Sequence, residues 1–306
     1  MAGSKIVVIG SSNMDLVVNV ARQPVAGETV MGQSFFVNPG GKGANQAVAV
    51  KRLGGDVTFV TKIGKDLFGQ QLRAHYADEK MDLTYVLTDE KNPTGVALIT
   101  VEEHGENRIV VVSGANAGLD VAELDFLQSL IDQCDYILLQ LEIPLTVIGE
   151  VIRLARKAGK RLVLNPAPAM PVPDDWLDGL FLITPNETEA EKLTGIRVAD
   201  EDGARQAAAC FLAKGVRNVV ITLGERGALV ASGEAMTLVP AGKVRAVDTT
   251  AAGDVFNGAL VVALAEDRPL CEAARWACTA SAIAVTRKGA QESAPYRDEV
   301  DNLFGS

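Results

Sequence analysis

The sequence has few of the residues on which histidine- and metal-dependent enzymes rely. Only two of its 306 residues are histidines, His75 and His104, and its four cysteines form no C-x-x-C pair. A histidine-based hydrolase or a zinc site would need partners that these positions do not supply. We therefore expect a carboxylate to carry any acid–base chemistry, and we expect the cysteines to be free thiols in a reducing cytoplasm.

Positive charge and long apolar runs are lacking as well. The 29 Lys and Arg residues are outnumbered by 39 Asp and Glu, and this net charge of −10 argues against nucleic acids and anionic membranes as partners. A transmembrane helix is not expected, because no run of 18 apolar residues is present. The apolar run in MAGSKIVVIG is too short for a signal-peptide core, so we predict a first strand there and a cytoplasmic location.

Short apolar runs alternate with amphipathic segments along the chain. We predict strands at 5–10, 57–64, 136–141, 161–165, 180–184 and 218–224, and helices at 43–53, 66–79, 146–158, 202–214, 254–266 and 269–286. Strands that are apolar on both faces and separated by helices predict an α/β fold, with a central, mostly parallel sheet flanked by helices on both faces. Ligands in such folds bind beyond the carboxyl ends of the strands.

Two segments, 14–37 and 94–112, do not follow this alternation of strand and helix. Their apolar and polar residues alternate, which is typical of an antiparallel sheet with one face in water. We predict that they form one small antiparallel β-sheet, with a hairpin turn at 103–107. This sheet would project as a lid from a single α/β domain that spans 1–306.

A glycine-rich motif, NPGGKGANQAVAV at 38–50, lies where a strand-like segment meets a helix. It is not a dinucleotide fingerprint, since Gln46 stands at the third glycine position. It is not a phosphate-binding P-loop either, since Gly43 follows Lys42 where Ser or Thr is needed. Two interpretations stay open: a helix start that needs flexible glycines, or a site where a small polar ligand approaches the backbone and Lys42 and Asn45 donate hydrogen bonds.

Two further motifs follow predicted strands, and each has a structural and a functional interpretation. In ITPNETEAEKLTG (183–195), Asn186 and Glu189 lie at a helix start, where they either cap the helix or hold a hydrated magnesium ion and a phosphate. In ITLGERGALV (221–230), the glycines either form a plain hairpin turn or let an adenine nucleotide lie against the chain.

The motif VDTTAAGDVFNGALV (247–261) places four small residues directly before Asp254 at a predicted helix start. An open helix N-terminus offers several free amides and about half a positive charge, which suits a phosphoryl group in transfer. Asp254 would then lie where an incoming hydroxyl loses its proton. The alternative, an acid that only stabilises the first helical turn, explains Asp254 but not the small residues before it.

In this order and spacing, GGKGAN, TPNETE, TLGERG and DTTAAGDVFNGAL resemble the motifs of the ribokinase-like sugar kinase family. The resemblance covers nearly the whole chain, from the first strand to AVTRKGAQESAP, and includes SSNMDLVV and NPAPA. It implies ATP-dependent phosphorylation of D-ribose at the 5-hydroxyl. It also implies magnesium bound with ATP, an activating potassium ion, and a homodimer formed through the lid sheet.

The resemblance also implies roles for individual residues. The catalytic base is Asp254, and the anion hole consists of the amides of Ala251, Ala252 and Gly253. The sugar is bound by Asn13, Asp15, Gly41, Lys42, Gly43, Asn45, Glu142 and Asp254. The nucleotide is bound by Asn186, Thr222, Leu223, Gly224, Glu225, Arg226, Gly227, Gly253 and Cys278. Glu189 joins the magnesium network, and potassium is bound by Asp248, Thr250, Ala284, Arg287, Gly289 and Ser293.

Other functions stay open on the sequence alone. The nearest alternative is a kinase of the same family that acts on fructose, a deoxyribose or a nucleoside. A non-catalytic, sugar-responsive regulator on the same fold would be expected to have lost the base or filled the anion hole, and neither change is seen. A nicotinamide-dependent oxidoreductase is disfavoured by the broken fingerprint at 38–50.

Overall fold

Strands and helices alternate in the computed structural model, which describes residues 4–103 and 106–305. The strands are β1 (Lys5–Ile9), β2 (Asn13–Val20), β3 (Gly32–Gly40), β4 (Asp56–Gly64), β5 (Val86–Asp89), β6 (Gly95–Glu102), β7 (Asn107–Val112), β8 (Tyr136–Leu139), β9 (Arg161–Leu164), β10 (Leu182–Ile183), β11 (Asn218–Thr222), β12 (Ala228–Ser232) and β13 (Ala235–Val239). The helices are α1 (Lys42–Arg52), α2 (Leu67–Asp78), α3 (Leu127–Gln133), α4 (Leu145–Lys157), α5 (Asp174–Leu177), α6 (Glu187–Thr194), α7 (Glu201–Ala213), α8 (Ala252–Ala265), α9 (Leu270–Ala284) and α10 (Arg297–Phe304).

The large sheet has nine strands in the order β13-β12-β11-β10-β9-β8-β1-β4-β5. Neighbouring strands are parallel from β11 to β5, whereas β12 and β13 run antiparallel at one edge. All six strands predicted from the apolar runs belong to this sheet. The predicted mostly parallel sheet is therefore confirmed.

Successive residues of the central strands face opposite sides of the sheet, and each side has its own core. In β1, Ile6 and Val8 pack into one cluster with residues of α1, α8 and α9. Val7 and Ile9 pack into the other cluster with residues of α3, α4 and α7. The helices therefore cover both faces of the sheet, as predicted. No helix among the described residues has the length and apolar character needed to cross a membrane.

The two segments predicted as a lid form a separate four-stranded sheet in the order β3-β2-β6-β7. The predicted antiparallel lid sheet is confirmed in pairs β2–β3 and β6–β7, whereas the central pair β2–β6 is parallel. The reason is that β2 and β6 follow the parallel strands β1 and β5, so both leave the same edge of the large sheet. The turn predicted at 103–107 includes residues 104 and 105, which lie outside the described residues.

Candidate active site

Polar residues stand where the parallel strands end. Ser11 follows β1, Gln140 follows β8, Asn165 follows β9 and Thr184 follows β10. Since neighbouring parallel strands end at the same edge of a sheet, these side chains share one edge. This is the edge at which open α/β sheets bind ligands.

The first turn of α1 lies against the loop after β1, and this contact requires glycine. Gly41 has a φ of +90°, a conformation that glycine adopts without strain. A Cβ at Gly43 would lie 2.5 Å from the carbonyl carbon of Gly10 and from the amide nitrogen of Ser11. The glycine-rich motif thus forms a close-packed helix start, and the same packing brings Lys42 to the edge of the sheet.

Glu142, from the segment after β8, joins this loop to α1. Its Oε2 accepts hydrogen bonds from Ser11 Oγ (2.5 Å) and from the backbone amide of Lys42 (3.1 Å). These bonds fix the carboxylate through one oxygen, and the second oxygen keeps its lone pairs for a ligand.

Asp254 is buried in the first turn of α8, with 6% of its surface exposed, and it faces α1. Its Oδ2 accepts a hydrogen bond from Asn45 Nδ2, and its Oδ1 accepts one from Gln46 Nε2, both at 2.9 Å. The two amides hold the carboxylate in one orientation, and each oxygen keeps a further lone pair for an incoming proton. This is the placement that a general base requires.

A chain of buried hydrogen bonds supports this carboxylate from behind. Gln46 Nε2 also donates to Asn165 Oδ1 (3.0 Å), and Asn165 Nδ2 donates to the Thr184 carbonyl oxygen (3.0 Å). Thr184 Oγ1 donates to Asn257 Oδ1 (2.6 Å), and Asn257 Nδ2 donates to the Gly253 carbonyl oxygen (2.8 Å). These bonds connect α1, the ends of β9 and β10, and α8, and they restrict the movement of the groups around Asp254.

The turn before α8 presents open backbone amides. Ala251 has a φ of +57°, which costs a non-glycine residue about 1 to 2 kcal/mol and is typical of functional sites. The Ala252 amide donates to the Thr249 carbonyl oxygen (3.2 Å), so one amide predicted for the anion hole is already used. The amides of Ala251, Gly253 and Asp254 have no acceptor among the described residues, and these three form the open set.

A cavity of about 210 Å³ lies between the strand ends and this turn. The predicted site residues that line it are Lys42, Asn186, Glu189, Thr222, Ala251, Ala252, Gly253 and Asp254. The lining is completed by residues to which the sequence analysis assigned no role, namely Asn165, Ala167, Thr184, Thr249 and Asn257. Residues predicted for magnesium, nucleotide, anion and base therefore converge on one cavity.

Asp15, on lid strand β2, lies close to Gly40, where a Cβ would be 2.2 Å from Asp15 Oδ2. Its carboxylate is buried, and the charged groups around it are the carboxylates of Glu142, Asp254 and Glu292 and the ammonium group of Lys42. Burial, followed by the negative charges of Glu142 and Asp254, raises the pKa of Asp15 to about 7, against the opposing charge of Lys42. Within the part of the chain that the structure describes, no hydrogen bond reaches the Asp15 carboxylate, so it can accept one from a ligand at the boundary between lid and core.

Lys42 and Glu189 also have shifted pKa values. Burial alone would lower the pKa of Lys42, but the negative charges of Asp254, Glu142 and other carboxylates outweigh it and raise the pKa above its usual value. Burial raises the pKa of Glu189, although the Asn186 amide and the Lys42 charge oppose the shift. Lys42 therefore stays positively charged, and it lines the cavity close to several carboxylates.

Asn186 and Glu189 form a capping box at the start of α6. Asn186 Oδ1 accepts from the Glu189 amide, and Glu189 Oε2 accepts from the Asn186 amide, both at 2.8 Å. The capping interpretation of this motif is therefore confirmed. Asn186 Nδ2 and Glu189 Oε1 take no part in the capping box, and both residues line the cavity, so these atoms can face a ligand there.

The turn after β11 follows Thr222, the last residue of that strand. Residues Gly224–Arg226 form one turn of 3₁₀ helix, in which Glu225 is exposed, and Leu223 before it is buried. Gly227 has a φ of +97°, and a Cβ there would lie 2.0 Å from a backbone carbonyl oxygen. The turn interpretation is therefore confirmed, and the strand residue directly before the turn, Thr222, lines the cavity.

Cys278 does not reach this cavity. It lies on α9 within the hydrophobic core, 6% exposed, and burial raises the pKa of its thiol to about 12. The structure does not bring Cys278 together with the other residues predicted for the nucleotide.

The residues predicted for potassium lie on two adjacent segments. Asp248 Oδ1 accepts from the Thr250 amide (2.9 Å), and Asp248 Oδ2 accepts from the Gly289 amide (3.0 Å), so one side chain joins both segments. The remaining members are Ala284 at the end of α9, Arg287, which is paired with Glu299, and Ser293, which is buried. The first segment continues directly into the turn before α8.

Known proteins with similar sequences and structures identify the family to which this chain belongs. Residues 4–297 match the family model described as pfkB family carbohydrate kinase. The chain is 45% identical to a ribokinase from Haemophilus influenzae over 95% of both chains, and 37% identical to a deoxyribokinase from Salmonella typhimurium over 98% of both. Its structure is similar to that of Arabidopsis thaliana ribokinase complexed with ribose and ATP, with a TM-score of 0.91, 32% identity and 100% coverage of both chains. The chain belongs to the pfkB family of carbohydrate kinases.

Proposed function

We propose that this protein is a ribokinase, which transfers the γ-phosphoryl group of ATP to the 5-hydroxyl of D-ribose. The observation that carries the proposal is the buried Asp254 carboxylate, held by two side-chain amides beside the open amides of the turn before α8. A hydroxyl and a phosphoryl group can meet there within reach of a base and of anion-binding amides. Similarity to ribokinases over the full length of the chain supports ribose as the sugar.

In the proposed reaction, Asp254 takes the proton of the ribose 5-hydroxyl while the bond between O5 and the γ-phosphorus forms. The bond from the γ-phosphorus to the bridging oxygen breaks, and ADP leaves with that electron pair. The open amides of Ala251, Gly253 and Asp254 donate to the phosphoryl oxygens, where the N-terminus of α8 adds positive potential. Lys42 lies on the same cavity and offsets the charge of the transition state.

Sugar recognition is proposed at the boundary between lid and core. Asn116 Nδ2 donates to Asn13 Oδ1 (2.7 Å), which orients the Asn13 amide and leaves its Nδ2 for a sugar hydroxyl. Asp15 and Glu142 each offer carboxylate oxygens to hydroxyl donors. Donors and acceptors in this mixture suit a small ligand with several hydroxyl groups.

Magnesium bound with ATP is the proposed cofactor, and the cavity has suitable groups for it. Glu189 Oε1 would face the hydrated ion, and Asn186 lies beside it on the same cavity. Magnesium keeps several waters and binds through one or two carboxylates and the phosphates of its substrate. When bound, it neutralises charge on the phosphate oxygens.

We infer a potassium site at the segments that Asp248 joins. Backbone carbonyl oxygens of residues 248–250 and 284–293, with Ser293, would supply oxygen ligands without a full set of carboxylates. Since the first segment continues into the turn before α8, an ion there would hold the open amides in place. This arrangement supports activation by potassium rather than direct participation in the reaction.

One assay tests the substrate and the potassium proposal together. We expect ADP release with ATP and magnesium to be fastest with D-ribose, compared with 2-deoxyribose, fructose and nucleosides. Loss of one hydroxyl contact should lower kcat/KM by about 5- to 150-fold, because a buried partner is left unpaired.

Turnover in potassium should exceed turnover in tetramethylammonium at equal ionic strength. Preference for another sugar would favour the related kinases, and equal rates in the two cations would remove the potassium proposal.

A homodimer through the lid is supported by an apolar surface on the lid. Cross-strand pairs place Leu98, Val110 and Phe35 on the face opposite to Asp15, since neighbouring strand residues alternate between faces. Their exposed fractions are 48%, 61% and 62%. Exposed apolar surface of this kind marks an interaction site, and a second copy of the lid is the proposed partner.

The dimer proposal predicts a mass of twice the 32.3 kDa of one chain in light scattering. Val110→Lys should shift the population to monomer, because it places a charge on the apolar face of the lid proposed as the interface. Leu67→Lys is the matched control, since Leu67 is 65% exposed on α2, outside the lid. A wild-type monomer, or equal masses for both variants, would contradict the proposal.

We also propose a cytoplasmic location. All four cysteines of the chain, Cys134, Cys210, Cys271 and Cys278, are free thiols. Reducing compartments maintain thiols in this state. A disulfide found in the protein isolated from cells would contradict this location.

A further inference from the structure

Gln291 is fully buried, and both ends of its side-chain amide have a partner. Its Nε2 donates to Asn45 Oδ1 (3.1 Å), and its Oε1 lies 2.8 Å from His75 Nε2. Since an amide oxygen only accepts hydrogen bonds, His75 Nε2 carries the hydrogen in this contact. The Gln291 amide thus contacts His75 through its oxygen and Asn45 through its nitrogen.

Asn45 connects the Gln291 amide to Asp254. Its Oδ1 faces the donor Gln291 Nε2, and its Nδ2 faces the acceptor Asp254 Oδ2. If the Asn45 amide turned over, two donors would meet at Gln291 and two oxygens would meet at Asp254. We propose that Gln291 is a positioning residue that fixes the Asn45 amide and, through it, keeps Asp254 oriented to accept the substrate proton. The inference rests on the role of Asp254 in the proposed function.

Gln291 also connects the base to the segment proposed for potassium. It lies two residues after Gly289, whose amide donates to Asp248 Oδ2. Its carbonyl oxygen accepts a hydrogen bond from Arg52 Nη1 (2.7 Å), which anchors the backbone to α1. A displacement of residues 284–293 would therefore move Gln291 and Asn45 and, through their hydrogen bonds, change the orientation of Asp254.

Gln291→Glu tests this role because it replaces the donor with an oxygen of nearly the same shape. The Asn45 amide is then expected to turn over and donate to the new carboxylate, so that its oxygen faces Asp254 Oδ2. That contact is favourable only when Asp254 holds a proton. Turnover at neutral pH should fall about tenfold. The acidic limb of the kcat profile, recorded between about pH 5 and about pH 9, should move up by about one pH unit.

Two further variants separate positioning from a loss of stability. Gln291→Met keeps the volume without imposing an oxygen, so kcat should fall about fivefold while the KM for ribose stays within about twofold. Tyr136→Phe, at the first residue of β8, removes the hydroxyl that donates to the Leu264 carbonyl oxygen (2.9 Å) and accepts from Arg161 Nη1 (2.6 Å), and it should leave the acidic limb in place.

An acidic limb that stays at the wild-type position in folded Gln291→Glu overturns the inference. If Gln291→Glu does not fold, an unchanged kcat in Gln291→Met overturns it equally. Failure of the proposed function would be seen in a different variant, Asp254→Asn. Wild-type turnover in Asp254→Asn would remove the base, whatever the Gln291 variants show.

Discussion

Replacing Asp254 with asparagine should lower turnover by about 10²- to 10⁴-fold, the contribution typical of a positioned general base. The new side chain cannot accept the proton of the incoming hydroxyl. Its Nδ2 would also face one of the two donors that now hold the carboxylate, Asn45 Nδ2 or Gln46 Nε2. Two facing donors cost about 1 to 3 kcal/mol, so the variant should also unfold at a lower temperature. ADP release at saturating ribose and ATP measures the loss of turnover.

Asp89→Asn is the matched control for this experiment. Asp89 is as buried as Asp254, with 6% of its surface exposed, and accepts hydrogen bonds from the amides of Lys91 and Asn92. It should lose stability but keep turnover, because it lies outside the cavity. D-ribose should still bind to Asp254→Asn in a calorimetric titration, since Asp15 and Glu142 remain. Turnover within tenfold of the wild type in folded Asp254→Asn would assign the proton transfer to another group.

The alternation of apolar runs and helical segments was sufficient to predict the large sheet. Strands such as β1 and β8 are buried on both faces, so their apolar character is continuous and easily recognised. Strand direction in the lid was not predictable in the same way, because alternation shows which face is wet but not which neighbour a strand pairs with. The parallel pairing of β2 with β6 depends on where the chain leaves the large sheet.

The site was predicted in part. Residues with a signal in the local sequence were predicted, whereas residues that depend on contacts distant in the chain were not. The helix starts at Lys42, Asn186 and Ala252 contain local signals, namely glycines, a capping box and small residues. Asn165 and Thr184 had a weaker signal, a polar residue directly after an apolar strand. Asn257 and Gln291 lie in motifs of the resemblance, but no role was assigned to them, because they bond to partners 73 and 246 residues away in the chain.

The strained turn before α8 illustrates a further limit of the sequence. The small residues correctly indicated an open helix N-terminus, but not which amides are open. Ala251 adopts a positive φ, and the resulting turn uses the Ala252 amide within the backbone. A sequence pattern cannot specify a conformation that an alanine rarely adopts, since the surrounding structure imposes it.

Replacing Asp15 with asparagine should make the stability of the ligand-free protein less sensitive to pH. The pKa of Asp15 is about 7 in the folded protein and near its usual value of 3.8 in the unfolded chain. Between these values the folded state holds a proton that the unfolded state has lost. The free energy of unfolding therefore falls as the pH rises through this window. Asparagine does not titrate, so the variant should not show this loss.

Between about pH 5 and about pH 8, the wild type should lose on the order of 2 kcal/mol more of its free energy of unfolding than the variant does. A lone group with this pKa shift could contribute more, but the nearby carboxylates share the titration. Glu142, Asp254 and Glu292 oppose ionisation of Asp15, whereas Lys42 favours it. Urea unfolding at the two pH values measures the effect. Asp125→Asn removes the same charge at an exposed position and should follow the wild type. Equal pH dependence in Asp15→Asn and the wild type would show that Asp15 ionises freely.

Ribose binding should favour the charged form of Asp15, whereas burial in the ligand-free protein favours its protonated form. If the sugar hydroxyls donate to the Asp15 carboxylate, they favour its charged form, because hydrogen bonds to a carboxylate stabilise it over the acid. Binding near pH 7 should then release a fraction of a proton. Calorimetric titrations in two buffers of different ionisation enthalpy measure that fraction, and Asp15→Asn should abolish it. A proton release that persists in the variant would place the titrating group elsewhere among the carboxylates around Lys42.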